Sequence, residues 1–320
     1  MYPRPVAALA ATALGCSALL VPGGATGTER AAARLCGPQV IAHRGASAYA
    51  PENTLAAVDL AHEMGFVWVE NDVQRTRDGE LVVVHDDSLA RTTDVEQLFP
   101  DRAPWKVGNF TAAEITTLDA GSWRGAQWAG ARVPTLKEYL NRVDDNGQKL
   151  LLEIKKPELY PGIEQDTLRV LGEAGWLDPW HVRQRLVVQS FDAHSVRAVH
   201  ARRPDIITGF LGTPPVADLT SYAAFTDQIN PSHTSLNAEY VAAVHALKSP
   251  HGTPLRVSTW TVNDAAGAVR VAGFGVDGII TNNPDVVQDA LGGCCAVPVP
   301  ARPAPGPALD CQRPVVPWSA

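Results

Sequence analysis

Two pairs of charged residues spaced two apart, Glu70 with Asp72 and Glu153 with Lys155, end runs that read as buried strands. The two-residue period of a strand points both members of each pair to one face. Three carboxylates converging on one spot repel one another unless a cation joins them, so the pattern implies a hard divalent ion held by oxygen ligands. One alternating acid pair is common on solvated edge strands; two such pairs on internal strands are a stronger signal. His43, followed by Arg44 and Gly45, ends a third run. Arg44 and Lys155 beside an ion would suit the non-bridging oxygens of a phosphodiester. His85 joins them by turn chemistry, because Asp78-Gly79 between two β-type runs is a strong hairpin signal. A two-residue turn there sets Arg77 opposite Glu80 and, counting outwards, His85 opposite Asp72, with Cβ atoms about 5 Å apart. Two imidazoles beside the ion could then take one proton and donate another. The other seven histidines, at 62, 181, 194, 200, 233, 245 and 251, have no such position and read as structural.

The elements that must position these residues form a regular series. Candidate strands fall at 41–43, 68–72, 151–155, 186–189, 207–210, 227–230, 256–260 and 278–281, with helical stretches such as 54–64, 135–143 and 193–201 between most of them. Eight strand-and-helix units over about 250 residues predict an α/β protein, a TIM-type (β/α)8 barrel, with a short hairpin insertion after the second strand. In such a barrel the strand C-termini face the mouth, which is where His43, Glu70, Asp72, Glu153, Lys155, Gln189 and Trp260 fall. The polar stretch between His85 and Thr135, with Trp105, Trp123 and Trp128, reads as a loop insertion over one mouth, although packing is an equally good use for the tryptophans. The segment 273–278 matches G-x-G-x-x-G but precedes a strand, so it cannot open a dinucleotide-binding helix.

The ends of the chain differ from this middle. Residues 1–25 combine an early Arg4, an apolar run from Val6 to Val21 and small residues at Gly23 and Ala25, and predict a cleaved export signal and a secreted protein. The apolar run is short for a membrane span, so no stable membrane insertion is expected. Residues 26–39 form a lead-in, 40–291 the barrel, and 292–320 a Cys/Pro-rich tail. Cys36, Cys294, Cys295 and Cys311 are an even set suited to two disulfides, in which Cys294 and Cys295 each reach a different partner, one Cys36 and the other Cys311. A net charge of −7 without a cationic cluster argues against nucleic acid as a partner.

The motifs His43-Arg44-Gly45, Pro51-Glu52-Asn53-Thr54, Glu70-Asn71-Asp72-Val73, Thr76-Arg77-Asp78-Gly79, His85-Asp86, Glu153-Ile154-Lys155, Gln189-Ser190-Phe191 and Trp260-Thr261-Val262-Asn263 resemble, in order and spacing, those of glycerophosphodiester phosphodiesterases. The likeness runs from Val40 to the Thr281–Asp285 segment. It implies that His43 and His85 are the acid and base, that Glu70, Asp72 and Glu153 bind Ca²⁺ or Mg²⁺, and that Arg44 and Lys155 contact phosphate. It further implies attack by the substrate's own glycerol 2-hydroxyl and a cyclic phosphate that water opens to glycerol 3-phosphate. Glu52 and Asn53 would face metal or glycerol, unless Asn53 or Thr54 instead caps the next helix. Trp260 would line the substrate pocket, or pack in the core. The expected substrates are small glycerophosphodiesters, with cell-wall glycerophosphate polymers as a further class. Two other readings are a related phospholipase D-like barrel acting on intact lipids and a catalytically silent surface binding module; the second requires loss of a histidine or carboxylate, and none is lost.

Overall fold

The computed structural model describes residues 37–292. The export signal, the four paired-cysteine candidates and the tail from 293 onward lie outside the described residues. Nine strands run in chain order: β1 (Gln39–Ala42), β2 (Trp68–Arg75), β3 (Leu81–Val83), β4 (Lys149–Ile154), β5 (Leu186–Ser190), β6 (Ile207–Leu211), β7 (Gln228–Asn230), β8 (Arg256–Thr259) and β9 (Gly278–Thr281). β1 pairs with both β2 and β9, so eight parallel strands close on themselves, and β3 pairs antiparallel with β2 outside the ring. The expected TIM-type barrel is present.

Helices return the chain between strands, burying apolar residues against the barrel, and several of them start at a capping side chain. Leu55–Glu63 buries Ala57, Val58 and Ala61 and begins at Thr54, whose side chain accepts from Ala57 N–H. Leu136–Asp145 begins with a reciprocal Thr135–Glu138 capping box. The apolar residues of the helices and the outward faces of the strands form the main core.

Inside the barrel, Ile41, Leu151, Val187 and Ile280 make an apolar layer on which Trp68 and Ile207 pack. Two residues further along the inward faces, at the C-terminal ends, come His43, Glu70, Glu153 and Gln189. The register fixes their height: Asp72 lies beside Glu153, and Glu153 beside Gln189. A slip of one residue would send the carboxylates into the helix-facing core, where the apolar residues of that face now sit.

The hairpin register differs from the sequence expectation. Arg75 pairs with Leu81 and Val73 with Val83, and Thr76 N–H donates to Glu80 O at 2.9 Å, so the loop is Arg77-Asp78-Gly79, three residues rather than two. Gly79 at φ +89° takes the left-handed position that ends a three-residue loop. The extra residue sets Val84, not His85, opposite Asp72, with Val84 N–H donating to Asp72 O at 2.9 Å. The stretch after β3 is also more than a loop. Val82, Val84, Leu89, Val95, Val107, Phe110, Ile115 and Leu118 form a second core of its own. Trp105 packs against that core, whereas Trp123 is exposed.

At the opposite end of the barrel from the polar layer, Arg185 precedes β5 with 1% of its surface exposed. Its guanidinium donates to Gln148 O at 2.7 Å and Val143 O at 3.0 Å, and pairs with Asp144. Trp176 and Trp180 lie about it, 5.0 and 4.9 Å from its carbon to their ring centres. It thereby closes the end of the Leu136–Asp145 helix and aligns β4 with β5. Arg185→Met should cost about 2–4 kcal/mol of unfolding free energy, because Gln148 O loses its side-chain donor, Val143 O keeps only the Gln148 N–H, and Asp144 loses its guanidinium partner. Urea unfolding followed by circular dichroism measures this, and a change below about 1 kcal/mol would contradict the assignment.

Candidate active site

His43 enters the mouth from β1. Its Nδ1 donates to Asn282 Oδ1 at 2.6 Å, and Asn282, just past β9, also accepts from Ser47 Oγ at 3.1 Å. That bond aims Nε2 inward, 3.9 Å from Glu70 Oε2. Burial, reinforced by Arg44, lowers the His43 pKa to about 4 against the opposing pull of Asp72, so the ring is neutral at pH 7. Arg44 stands in the left-handed region at φ +57°, which turns its N–H onto Glu70 Oε2 at 2.9 Å. Gly45 follows at φ +79° where a Cβ would lie 2.6 Å from Ala57 backbone atoms, so the chain can reverse there only with glycine.

Glu70, Asp72 and Glu153 offer oxygens that all lie within 4.8 Å of one another. All three are buried, at 1%, 0% and 5% exposure. Burial and the neighbouring carboxylates push the Glu70 carboxyl well above the usual range. Burial and Asp72 likewise raise Glu153 to about 7, with Lys155 opposing. Asp72 goes the other way: burial opposes ionisation, but Arg44 and Lys155 hold its carboxyl well below the usual range. Asn53, at φ +60°, donates to Asp72 Oδ2 at 2.8 Å, while Thr54 caps the helix. Asp72 Oδ1 is buried without a hydrogen bond. Oxygen donors only, three carboxylates and one unsatisfied oxygen fit a hard divalent cation.

His85 reaches the same place from just beyond β3. Gln74 Nε2 donates to the carbonyls of Val84, His85 and Asp86 at 2.9, 3.0 and 2.7 Å, and Tyr160 donates to Gln74 Oε1 at 2.9 Å. This clamp, not a cross-strand pairing, bends the chain so that His85 and Asp72 interact. His85 Nδ1 faces Asp86 Oδ1 at 2.6 Å. Burial, Arg44 and Lys155 lower its pKa, against Asp72 and Asp86.

Lys155 donates to Glu153 Oε1 at 2.7 Å and lies 3.5 Å from Asp72 Oδ1. Trp260 packs on the barrel-interior layer, donates to Asn230 O at 2.8 Å and meets the exposed ring of Phe191 edge to face at 5.3 Å. It therefore packs and also forms a wall of the mouth. Glu52 stands apart from the carboxylate cluster, since its oxygens accept from Arg44 and Arg91. The structure thus brings His43, Arg44, Glu70, Asp72, His85, Glu153 and Lys155 together. Sequence reasoning missed Asn282, Gln74, Asp86 and Arg91 as supports: Asn282 and the Arg91–Glu52 contact act across the fold, whereas Gln74 and Asp86 act locally but on no helix or strand period.

Comparison with known proteins agrees with this geometry. Residues 43–286 match the model of the glycerophosphoryl diester phosphodiesterase family. A glycerophosphodiester phosphodiesterase of Caldanaerobacter subterraneus is 34% identical over 251 residues, 78% of this chain and 95% of its own. One from Bacillus subtilis is 34% identical over 260 residues, covering 77% of this chain and 84% of its own. An Oleispira antarctica phosphodiesterase, solved with the product sn-glycerol-3-phosphate, superposes with a TM-score of 0.66 at 30% identity, over 81% of this chain and 98% of that one. With the family model spanning the whole polar mouth from His43 to beyond Asn282, this chain belongs to the glycerophosphoryl diester phosphodiesterase family and is a phosphoric diester hydrolase.

Proposed function

We propose that the enzyme hydrolyses small glycerophosphodiesters to glycerol 3-phosphate and an alcohol, with His43 and His85 as its acid–base pair. The observation that carries this reading is the buried carboxylate cluster, flanked by the imidazoles of His43 and His85 and by two cations. Glu70, Asp72 and Glu153 would hold a divalent cation, Ca²⁺ or Mg²⁺, which when bound supplies positive charge for the phosphate oxygens. Arg44 and Lys155 add fixed positive charge to the same oxygens. One imidazole takes the proton of the substrate's glycerol 2-hydroxyl as that oxygen attacks phosphorus. The bond from phosphorus to the alcohol breaks, and the alcohol leaves with a proton from the other imidazole, which enters the step as imidazolium and ends it neutral. Water then opens the resulting cyclic phosphate with the two proton transfers reversed. Phe191 and Trp260 would bound the side of the site that receives the glycerol or the alcohol.

The proposal includes export, which rests on residues 1–25. Among the described residues no helix is long and apolar enough to cross a membrane. Glycerophosphate polymers of a cell wall repeat the same diester and form a second substrate class to assay.

Release of glycerol 3-phosphate from glycerophosphocholine should be abolished by EDTA and restored by Ca²⁺ or Mg²⁺. His43→Ala and His85→Ala should each lower kcat by about 10²–10⁴-fold. Activity indifferent to EDTA would remove the cation from the reading, and full activity in either histidine variant would remove that histidine.

The cluster also predicts how the metal-free protein responds to pH. Glu153 has a folded pKa of about 7, above its ordinary 4.5, so the folded chain holds this proton more tightly than the unfolded one. Its contribution is complete below the ordinary value and is lost as pH rises through about 7. In EDTA, Glu153→Gln should therefore melt progressively higher than the parent protein from pH 5 to pH 8. A melting difference that stays flat across that range would show the carboxyl is not held protonated by the fold.

A further inference from the structure

Arg91 lies in the segment after β3, on no barrel strand, yet its side chain reaches two carboxylates at the mouth. Nε donates to Asp86 Oδ2 at 2.5 Å, and the two terminal nitrogens donate to Glu52 Oε2 and Oε1 at 2.9 and 2.7 Å. Each carboxylate has a second partner in the site. Asp86 Oδ1 holds His85 Nδ1 at 2.6 Å, and Glu52 Oε1 accepts from Arg44 at 2.8 Å. A continuous line of contacts therefore runs from His85 through Asp86, Arg91 and Glu52 to Arg44. It joins three separate pieces of chain: the end of β1, the loop before the Leu55–Glu63 helix, and the inserted segment.

We propose that Arg91 is a positioning residue, whose guanidinium fixes Asp86 and Glu52 so that His85 and Arg44 keep the orientations the reaction needs. The inference rests on the roles given to those two residues above. Asp86 and Glu52 would repel each other without a cation between them, and a planar fork satisfies both where a point charge cannot. Asp86 carries the larger consequence. An ionised carboxylate only accepts, so Asp86 assigns the His85 proton to Nδ1 and leaves Nε2 to face the reaction. Asp86 is 29% exposed in its side chain, and without Arg91 nothing else described bonds its outer oxygen Oδ2. It could then rotate towards water, and His85 would lose both its tautomer and its direction. A residue that merely fastened the inserted segment to the barrel would affect stability and leave kcat and KM alone.

The test measures kcat, KM and melting temperature for Arg91→Met, Arg91→Lys, Asp86→Asn and the Arg91→Met/Asp86→Asn double variant. His85→Ala is included as a reference, all with saturating Mg²⁺ or Ca²⁺. Arg91→Met should lower kcat by about 10–100-fold, as loss of a residue that orients a reacting group does. Arg91→Lys should recover only part of this, and the double variant should lose much less than the product of the single losses. A folded Arg91→Met enzyme with parental kcat and KM would overturn the proposal, as would losses that multiply. If Arg91→Met does not fold, Arg91→Lys combined with Asp86→Asn decides by the same non-additivity. Full activity in His85→Ala would instead mean that the role of His85, on which the inference rests, is wrong.

Discussion

Everything else at the mouth is arranged around the burial of three carboxylates side by side. Glu70, Asp72 and Glu153 have almost no contact with water, and like charges at this separation cannot all ionise unaided. The fold counters this in two ways. Arg44 and Lys155 stabilise the charge on Asp72, and Glu70 and Glu153 are pushed towards holding protons. Asp72 is thus the fixed negative centre, and the two glutamates respond to whatever positive charge arrives. A divalent cation would replace the protons the glutamates retain, and the oxygen-only donor set suits a hard ion.

Holding that cluster demands unusual backbone. Arg44 and Asn53 both adopt left-handed conformations, and Asn53 N–H donates to Arg44 O at 3.0 Å. Together they place a backbone donor on Glu70 and an amide on Asp72. Such conformations cost about 1–3 kcal/mol each and persist only where the surroundings over-determine them. Here the surroundings are the apolar layer beneath, the capped helix after Thr54, and a close approach of Gly45 to that helix. The stability of the barrel is what permits the strain at its mouth.

The sequence made the strand-borne part of this legible and left the rest hidden. Glu70, Asp72, Glu153 and Lys155 could be read because a strand has a period of two, and because a buried strand that served packing alone would end in apolar residues. His43 could be read from the same rule. The hairpin register could not, since Asp78-Gly79 serves a two-residue or a three-residue loop and only Gly79's left-handed position distinguishes them. His85 nonetheless arrives where expected, for a different reason: Gln74 gathers three carbonyls across the hairpin. Glu52 could be read only from its place in a motif, and its pairing with the guanidinium groups of Arg44 and Arg91 has no signal in the local sequence. Asn282 left no periodic signal because His43 is 239 residues away, and Arg91 left none because Glu52 is 39 residues away and the nearer Asp86 lies at no helical or strand spacing.

The two histidines are held by different kinds of acceptor, and this separates them chemically. His43 donates to a neutral amide oxygen and is deeply enclosed, so burial dominates and drives its pKa to about 4. His85 donates to Asp86, whose carboxyl is held at about 2 by Arg91 and His85 despite its burial, and the His85 ring is also more open to solvent. A carboxylate partner stabilises an imidazolium and an amide does so only weakly, so a proton entering the mouth rests more readily on His85. Environments that push two titratable groups apart in this way suit the proposed division of roles, in which one gives a proton while the other takes one. The asymmetry depends on Asp86 staying ionised and in place, and so on contacts made by a segment outside the barrel.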